Sequence, residues 1–194
     1  MGRLTAILVA LAGLAVSAHA QVAVQAHVVD GKPVIAVVPE GAGPFPVVYA
    51  LPGLGEMVRG PTASARGWVD DYGLVAAYQD IALKGLVIVC PATPRALTGD
   101  FERYLLQSVI PWAEAQLPIR KGPKHRGIDG ISMGGRHALR IGFKYPEQFA
   151  TIGTEQAAVG SLAPRWARRI RKRPQRFAHL RVLLLTSNRD GFRR

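Results

Sequence analysis

At residues 130–135 the chain reads Gly130-Ile131-Ser132-Met133-Gly134-Gly135, a match to the pattern G-x-S-x-G. A short apolar run at 127–131 leads into the serine, and a helical pattern at 134–143 follows it. A serine on such a strand-to-helix turn is lifted out of the sheet, and the crowded backbone requires small residues two positions to either side. The pattern predicts that Ser132 is a nucleophile; the alternative is a structural turn of glycine and serine.

Two backbone N–H groups are candidates for stabilising negative charge beside Ser132. The helix that starts at Met133 directs its N-terminal N–H groups towards the serine. A second donor of this kind comes from the loop after an earlier strand, and Leu51-Pro52-Gly53-Leu54-Gly55 follows such a buried run. We predict an oxyanion hole formed by the N–H groups of Met133 and Leu54, with a simple Pro-Gly turn as the alternative for the second donor.

Outward from this turn, apolar β-type runs alternate with helical patterns along the chain. The runs at 22–29 and 34–38 are joined by the turn signal Asp30-Gly31 and predict a hairpin. Five further runs predict the remaining strands: 46–51, 86–90, 127–131, 149–153 and 181–186. Helical patterns fall at 69–83, at 101–117 with Asp100 as the N-cap, and at 134–143. This order predicts an α/β protein with a mostly parallel sheet and helices on both faces.

Four segments carry a resemblance to a known family. They are Leu51-Pro52-Gly53-Leu54-Gly55, Ile110-Pro111-Trp112, Ser132-Met133-Gly134-Gly135 and Tyr145-Pro146-Glu147-Gln148-Phe149-Ala150. With them the chain resembles the esterase-D-like branch of the α/β-hydrolases, the group of feruloyl and acetylxylan esterases, S-formylglutathione hydrolase and secreted mycolyltransferases. The resemblance implies an α/β-hydrolase fold over most of the chain, and it does not fix a substrate.

The resemblance also implies an activity and a chain order for the site. The activity is hydrolysis of a small-molecule or glycan-linked carboxylic ester through an acyl-enzyme on Ser132, or acyl transfer to a hydroxyl acceptor, with no metal or organic cofactor. The catalytic residues should follow in the order serine, acid, histidine. Asp190, which ends a loop directly after the run at 181–186, is the candidate acid. The alternative for Asp190 is an aspartate of a surface loop.

The histidine of that order has no counterpart after Asp190, where the sequence has Gly191-Phe192-Arg193-Arg194. The five histidines all come earlier: His19, His27, His125, His137 and His179. Of these, His137, on the helix after Ser132, is the best candidate for a substitute, although a core or surface role is expected for it. We therefore expect a hydrolase domain incomplete at its C-terminus and very weak as an enzyme, because a serine without a base is a poor nucleophile. The alternative is a non-catalytic hydrolase-fold protein that binds an ester, a glycan or an anionic polymer.

The N-terminal residues 1–20 have the layout of a secretory signal peptide. Arg3 precedes an apolar stretch at 4–16, and Ala18-His19-Ala20 is a small-x-small cleavage signal. We expect cleavage between Ala20 and Gln21, one hydrolase domain at 21–194, and a secreted or periplasmic protein. An uncleaved N-terminal anchor is the alternative.

Composition and charge limit the kinds of protein and partner that the sequence allows. Hydrophobic residues make up 48% and charged residues 20%, which is typical of a globular domain, and the single cysteine, Cys90, excludes an intramolecular disulfide. Cys90 ends an apolar run and is predicted to be a core residue. The net charge is +12, and 11 of the 25 Lys and Arg residues lie between Arg165 and Arg194. The Arg165–Arg181 region is interpreted either as a surface for an anionic partner or as a solvated face; specific nucleic-acid binding is not expected.

Overall fold

The computed structural model describes residues 21–80 and 85–187 of the 194-residue chain. Within these ranges seven strands form one sheet. They are β1 (Val22–Val29), β2 (Lys32–Pro39), β3 (Val47–Leu51), β4 (Val87–Pro91), β5 (Arg126–Gly130), β6 (Thr151–Glu155) and β7 (Arg181–Leu185). The predicted signal segment 1–20 and the candidate acid Asp190 lie outside the described residues.

The strands are connected mainly by helices. In chain order these are α1 (Leu54–Val58), α2 (Pro61–Asp70), α3 (Leu74–Asp80), α4 (Gly99–Arg103), α5 (Ile110–Gln116), α6 (Met133–Lys144) and α7 (Ala163–Lys172). A π-helical segment, Tyr104–Val109, joins α4 to α5. Short 3₁₀ segments precede β5, β6, α7 and β7.

The sheet has the strand order β1-β2-β4-β3-β5-β6-β7. β1 and β2 form the predicted antiparallel hairpin, and β2 also pairs with β4 in the antiparallel sense. All other neighbours, from β4 through β3, β5 and β6 to β7, are parallel. The prediction of a mostly parallel sheet is confirmed. Because the five strands β3 to β7 run in one direction, the segments after them meet at one edge of the sheet.

Helices cover both faces of the sheet, as predicted. On one face Tyr49 and Ile152 belong to a large core with residues of α5 and α6. On the other face a smaller core joins Ile35 and Cys90 to residues of α2 and α3. Cys90 is fully buried, and burial raises the pKa of its thiol to about 12, which fits the predicted core role and leaves it protonated.

The prediction of one helix at 69–83 is wrong for the described part of that range. The structure has two helices, α2 and α3, and α2 begins at Pro61, where proline favours the first turn of a helix. The chain turns between the two helices at Gly73, whose φ of +64° is strained for other residues. Apolar spacing continues across the break, which is why periodicity alone merged α3 with the end of α2. Residues 81–84 lie outside the description.

The predicted helix at 101–117 is helical throughout but starts earlier and has a different cap. Thr98, not Asp100, is the N-cap, since its hydroxyl accepts a hydrogen bond from the Phe101 N–H at 3.4 Å. Asp100 lies in the first turn and pairs with Arg103. A smaller difference concerns β6, which begins at Thr151 instead of 149 because Phe149 caps the 3₁₀ turn before it.

The last strand, β7, lies at the edge of the sheet with β6 as its neighbour. Its four apolar side chains are exposed: Val182 by 43%, Leu183 by 59%, Leu184 by 60% and Leu185 by 51%. A strand of this composition is normally enclosed, and an open apolar edge favours association with another strand. The described part of the chain therefore leaves the β7 edge of its sheet uncovered.

Candidate active site

Ser132 occupies the sharp turn between β5 and α6. Its φ of +53° and ψ of −111° lie in a region that residues with a side chain rarely adopt. The neighbouring backbone holds this conformation: the Ser132 N–H donates to the Glu155 carbonyl at 2.8 Å, and the Ser132 carbonyl accepts from Ala158 N–H at 3.0 Å. Strain of this kind costs about 1–3 kcal/mol and persists where the surroundings enforce it, as at many functional sites.

The glycines around Ser132 are required by close backbone contact. A Cβ on Gly130 would lie 2.3 Å from the Gly134 carbonyl carbon. A Cβ on Gly134 would lie 2.2 Å from the Leu51 carbonyl oxygen and 2.3 Å from that of Pro52. Real Cβ atoms do not approach so closely, so any larger residue must displace main chain. This is the steric reason for the small residues two positions on either side of Ser132, as the sequence pattern predicted.

The loop after β3 packs directly against this turn. The Ile131 N–H donates to the Leu51 carbonyl at 3.2 Å, and the Gly134 contacts above involve the same loop. Leu54 is the first residue of α1 and Met133 the first residue of α6. The first N–H groups of a helix have no acceptor within the helix, and the Leu54 and Met133 amides are both of this kind. The structure thus places the loop that carries Leu54 against the turn of Ser132 and Met133.

A polar brace holds the loop that carries Leu54, and sequence reasoning missed it. The Gly53 N–H donates to the Tyr72 hydroxyl at 3.0 Å, and that hydroxyl donates to the Glu56 carboxylate. Burial, followed by the hydrogen bond to Glu56, raises the pKa of Tyr72, so its proton stays on the ring oxygen. Arg59 approaches Glu56 at 3.4 Å. No motif marks these residues, because Glu56 and Tyr72 meet only through the packing of α1 on α2.

Asp129 is a second polar group that the sequence did not single out. It lies on β5, three positions before Ser132, and accepts a hydrogen bond from the Gly130 N–H at 2.6 Å. Its carboxylate lies over Gly153 of β6, where a Cβ would be 2.7 Å from the Asp129 Cγ. Burial raises the pKa of Asp129 to about 6, opposed by the Gly130 hydrogen bond and reinforced by the negative charge of Glu155.

The histidines of the described ranges are engaged elsewhere. His137 is 3% exposed, and its Nε2 lies 3.3 Å from the Pro94 carbonyl, while burial lowers the pKa of its ring. The His179 Nε2 lies 2.8 Å from the Pro146 carbonyl, and His27 packs on Trp112. His125 precedes β5 at the opposite end of that strand from Ser132. Within residues 21–80 and 85–187, no imidazole forms a hydrogen bond with the Ser132 hydroxyl.

In the same ranges, no group of three or more His, Cys, Asp and Glu side chains is arranged to hold a metal ion. What the described residues provide is a strained serine, two helix N-termini and a braced loop. Such an arrangement can attack a carbonyl carbon and stabilise the resulting oxyanion once a base takes the serine proton.

A mostly parallel sheet with a strained serine between strand and helix defines the class: this is an α/β-hydrolase fold. The family model described as "Putative esterase" matches residues 27–190. The chain belongs to this esterase family.

Solved structures share the fold at low sequence identity. A ferulic acid esterase from Anaeromyces mucronatus in complex with ferulic acid is 20% identical, with a TM-score of 0.58 over 73% of this chain and 59% of that one. S-formylglutathione hydrolase from Staphylococcus aureus is 12% identical, with a TM-score of 0.63 over 88% and 80%. The feruloyl esterase module from Clostridium thermocellum is 16% identical, with a TM-score of 0.63 over 88% and 68%. The matched part of this chain thus spans 59% of the length of the fungal esterase.

Proposed function

We propose that this protein is a serine hydrolase of carboxylic esters. The observation that carries the proposal is the backbone of Ser132, held at a φ of +53° between the loop of Leu54 and the N-terminus of α6. Ser132 Oγ attacks the acyl carbonyl, and the N–H groups of Met133 and Leu54 stabilise the oxyanion. The alcohol leaves with a proton, and water then releases the acid and regenerates Ser132. Family membership and the shared fold support this reaction class.

For this attack the Ser132 hydroxyl must lose its proton to a base. The described histidines contact other groups, and Asp190, proposed to orient a histidine, lies outside the described residues. We therefore propose that acylation of Ser132 is slow when only the described residues act on it. Loss of one member of such a triad can cost about 10⁴-fold or more in rate, with a residual activity from the oxyanion hole.

The substrate proposal stays at the level of a class. The fungal ferulic acid esterase was solved with ferulic acid. For this chain we propose a small-molecule or glycan-linked ester, with acyl transfer to a hydroxyl as the alternative within the fold. We further propose export to a secreted or periplasmic location, supported by the signal-like segment at 1–20. Within the described ranges, no helix has both the length and the apolarity needed to span a membrane.

A second candidate function is a non-catalytic hydrolase-fold protein that binds an ester, a glycan or an anionic polymer. It is favoured by the observation that every histidine of the described ranges lies away from the Ser132 hydroxyl or bonds elsewhere. Its anionic partner would contact the Arg165–Arg181 region, where α7 has no buried residue.

The two candidates differ in covalent chemistry at Ser132. With p-nitrophenyl acetate the enzyme should release a burst of p-nitrophenol and carry an acetyl group on the Ser132 peptide by mass spectrometry. Ser132→Ala should abolish both, whereas the control Ser108→Ala, on the π-helical segment, should keep both. Added imidazole should accelerate acylation of the unaltered chain, because it can accept the proton of Ser132.

A burst that survives in Ser132→Ala would show that another residue is the nucleophile. The absence of acetylation even with imidazole would favour the non-catalytic binding protein. Turnover near 10 s⁻¹, a median enzyme rate, without imidazole would show that a base is already in place.

A further inference from the structure

A cleft between α6 and α7 is lined by five cationic side chains. Its volume is about 470 Å³, and Leu162 and Trp166 complete its walls. The cations are Arg136, Arg140 and Lys144 on α6 and Arg165 and Arg169 on α7. We propose that this α6/α7 cleft binds a compact polyanion whose charge is carried by clustered phosphate or sulfate groups.

The spacing of these cations places them on two facing surfaces. On α6 they recur every four residues, starting one helical turn after Ser132, and on α7 the two arginines are also four residues apart. Residues at this spacing are neighbours on a helix, and like charges there destabilise it. The arrangement therefore opposes the stability of both helices, and helix packing does not account for it.

The positive charge of the α6/α7 cleft is only partly balanced inside the protein. Glu102 pairs with Lys144 and lies 3.8 Å from Arg140. In the part of the chain that the structure describes, no carboxylate forms an ion pair with Arg136, Arg165 or Arg169. A bound anion would supply the missing counter-charge.

The residue types indicate the chemistry of that anion. Four of the five cations are arginines, whose planar guanidinium groups match the oxygens of phosphate and sulfate in pairs. A ligand with one charge would neutralise a small part of the cleft, so several anionic groups close together fit it better. The concave shape favours a compact ligand over contact with a flat surface. The inference is independent of ester hydrolysis, because none of these side chains is assigned a step at Ser132.

A matched control exists on the same helix. Arg168 and Arg171 belong to α7 but do not line the cleft. Replacing Arg165 and Arg169, or Arg168 and Arg171, removes the same charge from the same element. A difference between the two double variants therefore reports on the cleft and not on net charge.

The test is isothermal titration of sodium tripolyphosphate into the full chain at low and moderate salt. Arg165→Gln/Arg169→Gln should weaken binding by about tenfold or more, because each lost guanidinium removes charge-assisted hydrogen bonds. Arg136→Gln should also weaken it, which would place α6 in the site. Arg168→Gln/Arg171→Gln should change affinity by less than about twofold at moderate salt, since these arginines do not line the cleft and salt screens their charges.

Equal losses in the two double variants would overturn the proposal in favour of a diffuse basic face, and no binding of tripolyphosphate or sulfated sugar would overturn it outright. A heparin tetrasaccharide, titrated in parallel, distinguishes sulfated glycan from free phosphate as the source of the ligand. The thermal midpoint of Arg165→Gln/Arg169→Gln should stay level or rise, which separates lost binding from misfolding. Ser132→Ala should bind tripolyphosphate normally, so failure of the ester-hydrolase proposal would leave this result unchanged.

Discussion

The turn around Ser132 follows one strand of the parallel part of the sheet, and β7 is another strand of that part. The rest of the molecule encloses the turn closely and leaves β7 open. At the turn, main chain from the loop after β3 approaches so closely that a Cβ on Gly134 would lie 2.2 Å from a carbonyl oxygen. On β7 the Leu184 side chain is 60% exposed. One strand of the parallel part of the sheet thus leads into a tightly enclosed turn, whereas another forms an open apolar edge.

The difference shows that the conformation of the Ser132 turn depends on the main chain packed around it, and not on the formation of a strand alone. Ser132 is held by Glu155 and Ala158 through backbone hydrogen bonds and by the Leu51 loop through contact. Among the strands of the described ranges, β7 pairs with β6 alone. Substitutions should therefore be costly near the turn and cheap on β7, and three experiments can break or sharpen this contrast.

The largest effect is expected at Gly134. Gly134→Ala should lower the free energy of unfolding by about 4 kcal/mol or more, because the new Cβ collides with the Leu51 and Pro52 carbonyl oxygens and main chain must move. Urea denaturation followed by circular dichroism measures the change.

Gly55→Ala is the control for that experiment. Gly55 is exposed in α1 and a Cβ there meets nothing within 4 Å, so the substitution should stabilise the protein by about 0.5–1 kcal/mol through helix propensity. Similar behaviour of the two variants would mean that the turn is not enclosed in solution as it is in the structure.

The next largest effect is the loss of stability when a side chain of β6 is truncated to alanine, compared with one of equal size on the adjacent β7. Ile152 of β6 is 1% exposed, whereas Leu184 of β7 is 60% exposed. Ile152→Ala should cost about 3 kcal/mol because it leaves a cavity against α6, and Leu184→Ala should cost less than about 1 kcal/mol. Thermal and urea unfolding of both variants provide the comparison.

A large cost at Leu184 would mean that β7 is covered in solution by another copy or by a segment beyond the described residues. Repeating the measurement over a range of protein concentrations separates these cases, since only association depends on concentration.

The smallest effect concerns Asp129, on the strand that leads into the turn. Its pKa of about 6 in the folded protein lies above the value near 3.9 expected in the unfolded chain. The folded state therefore binds the proton more tightly, and stability falls as pH rises from about 4 to about 6. Asp129→Asn keeps an oxygen acceptor for the Gly130 N–H and removes the titrating carboxyl. It should therefore abolish a pH-dependent loss of about 2 kcal/mol in the free energy of unfolding, a value lowered from that of the full pKa shift because solvent partly screens the charge.

The measurement is the free energy of unfolding of Asp129→Asn relative to the unaltered protein at pH 4 and pH 8. The advantage of the variant should grow with pH. Asp70→Asn is a control of opposite sign, because the hydrogen bond from Arg66 lowers the pKa of Asp70 on an exposed surface. An advantage of Asp129→Asn that is constant with pH would show that the carboxylate is not desolvated.

Several features of the fold could be predicted from local sequence because their causes are local. β1 was predicted with the bounds that the structure gives it, since alternation and the Asp30-Gly31 turn are properties of neighbouring residues. The small residues around Ser132 predicted a turn because its steric requirement also concerns neighbouring residues. The break between α2 and α3 at Gly73 was missed because the apolar spacing continues across it.

Other features were beyond the reach of sequence patterns because they join distant segments. The brace of Tyr72 on Glu56 and Gly53 depends on how α1 packs against α2. The raised pKa of Asp129 depends on burial between β5 and β6, which a single aspartate in a sequence does not reveal.

By itself, the sequence determined the class of fold and predicted a candidate nucleophile and two candidate backbone donors, because the spacing of small residues is a steric requirement of the turn. Tertiary structure alone decided where the histidines of the described ranges point, and it placed His137 on the Pro94 carbonyl. It also brought the cations of α6 and α7 to one cleft, although their segments are far apart along the chain. The physical reason is that periodicity describes which face a residue occupies, whereas packing of whole elements decides which faces meet.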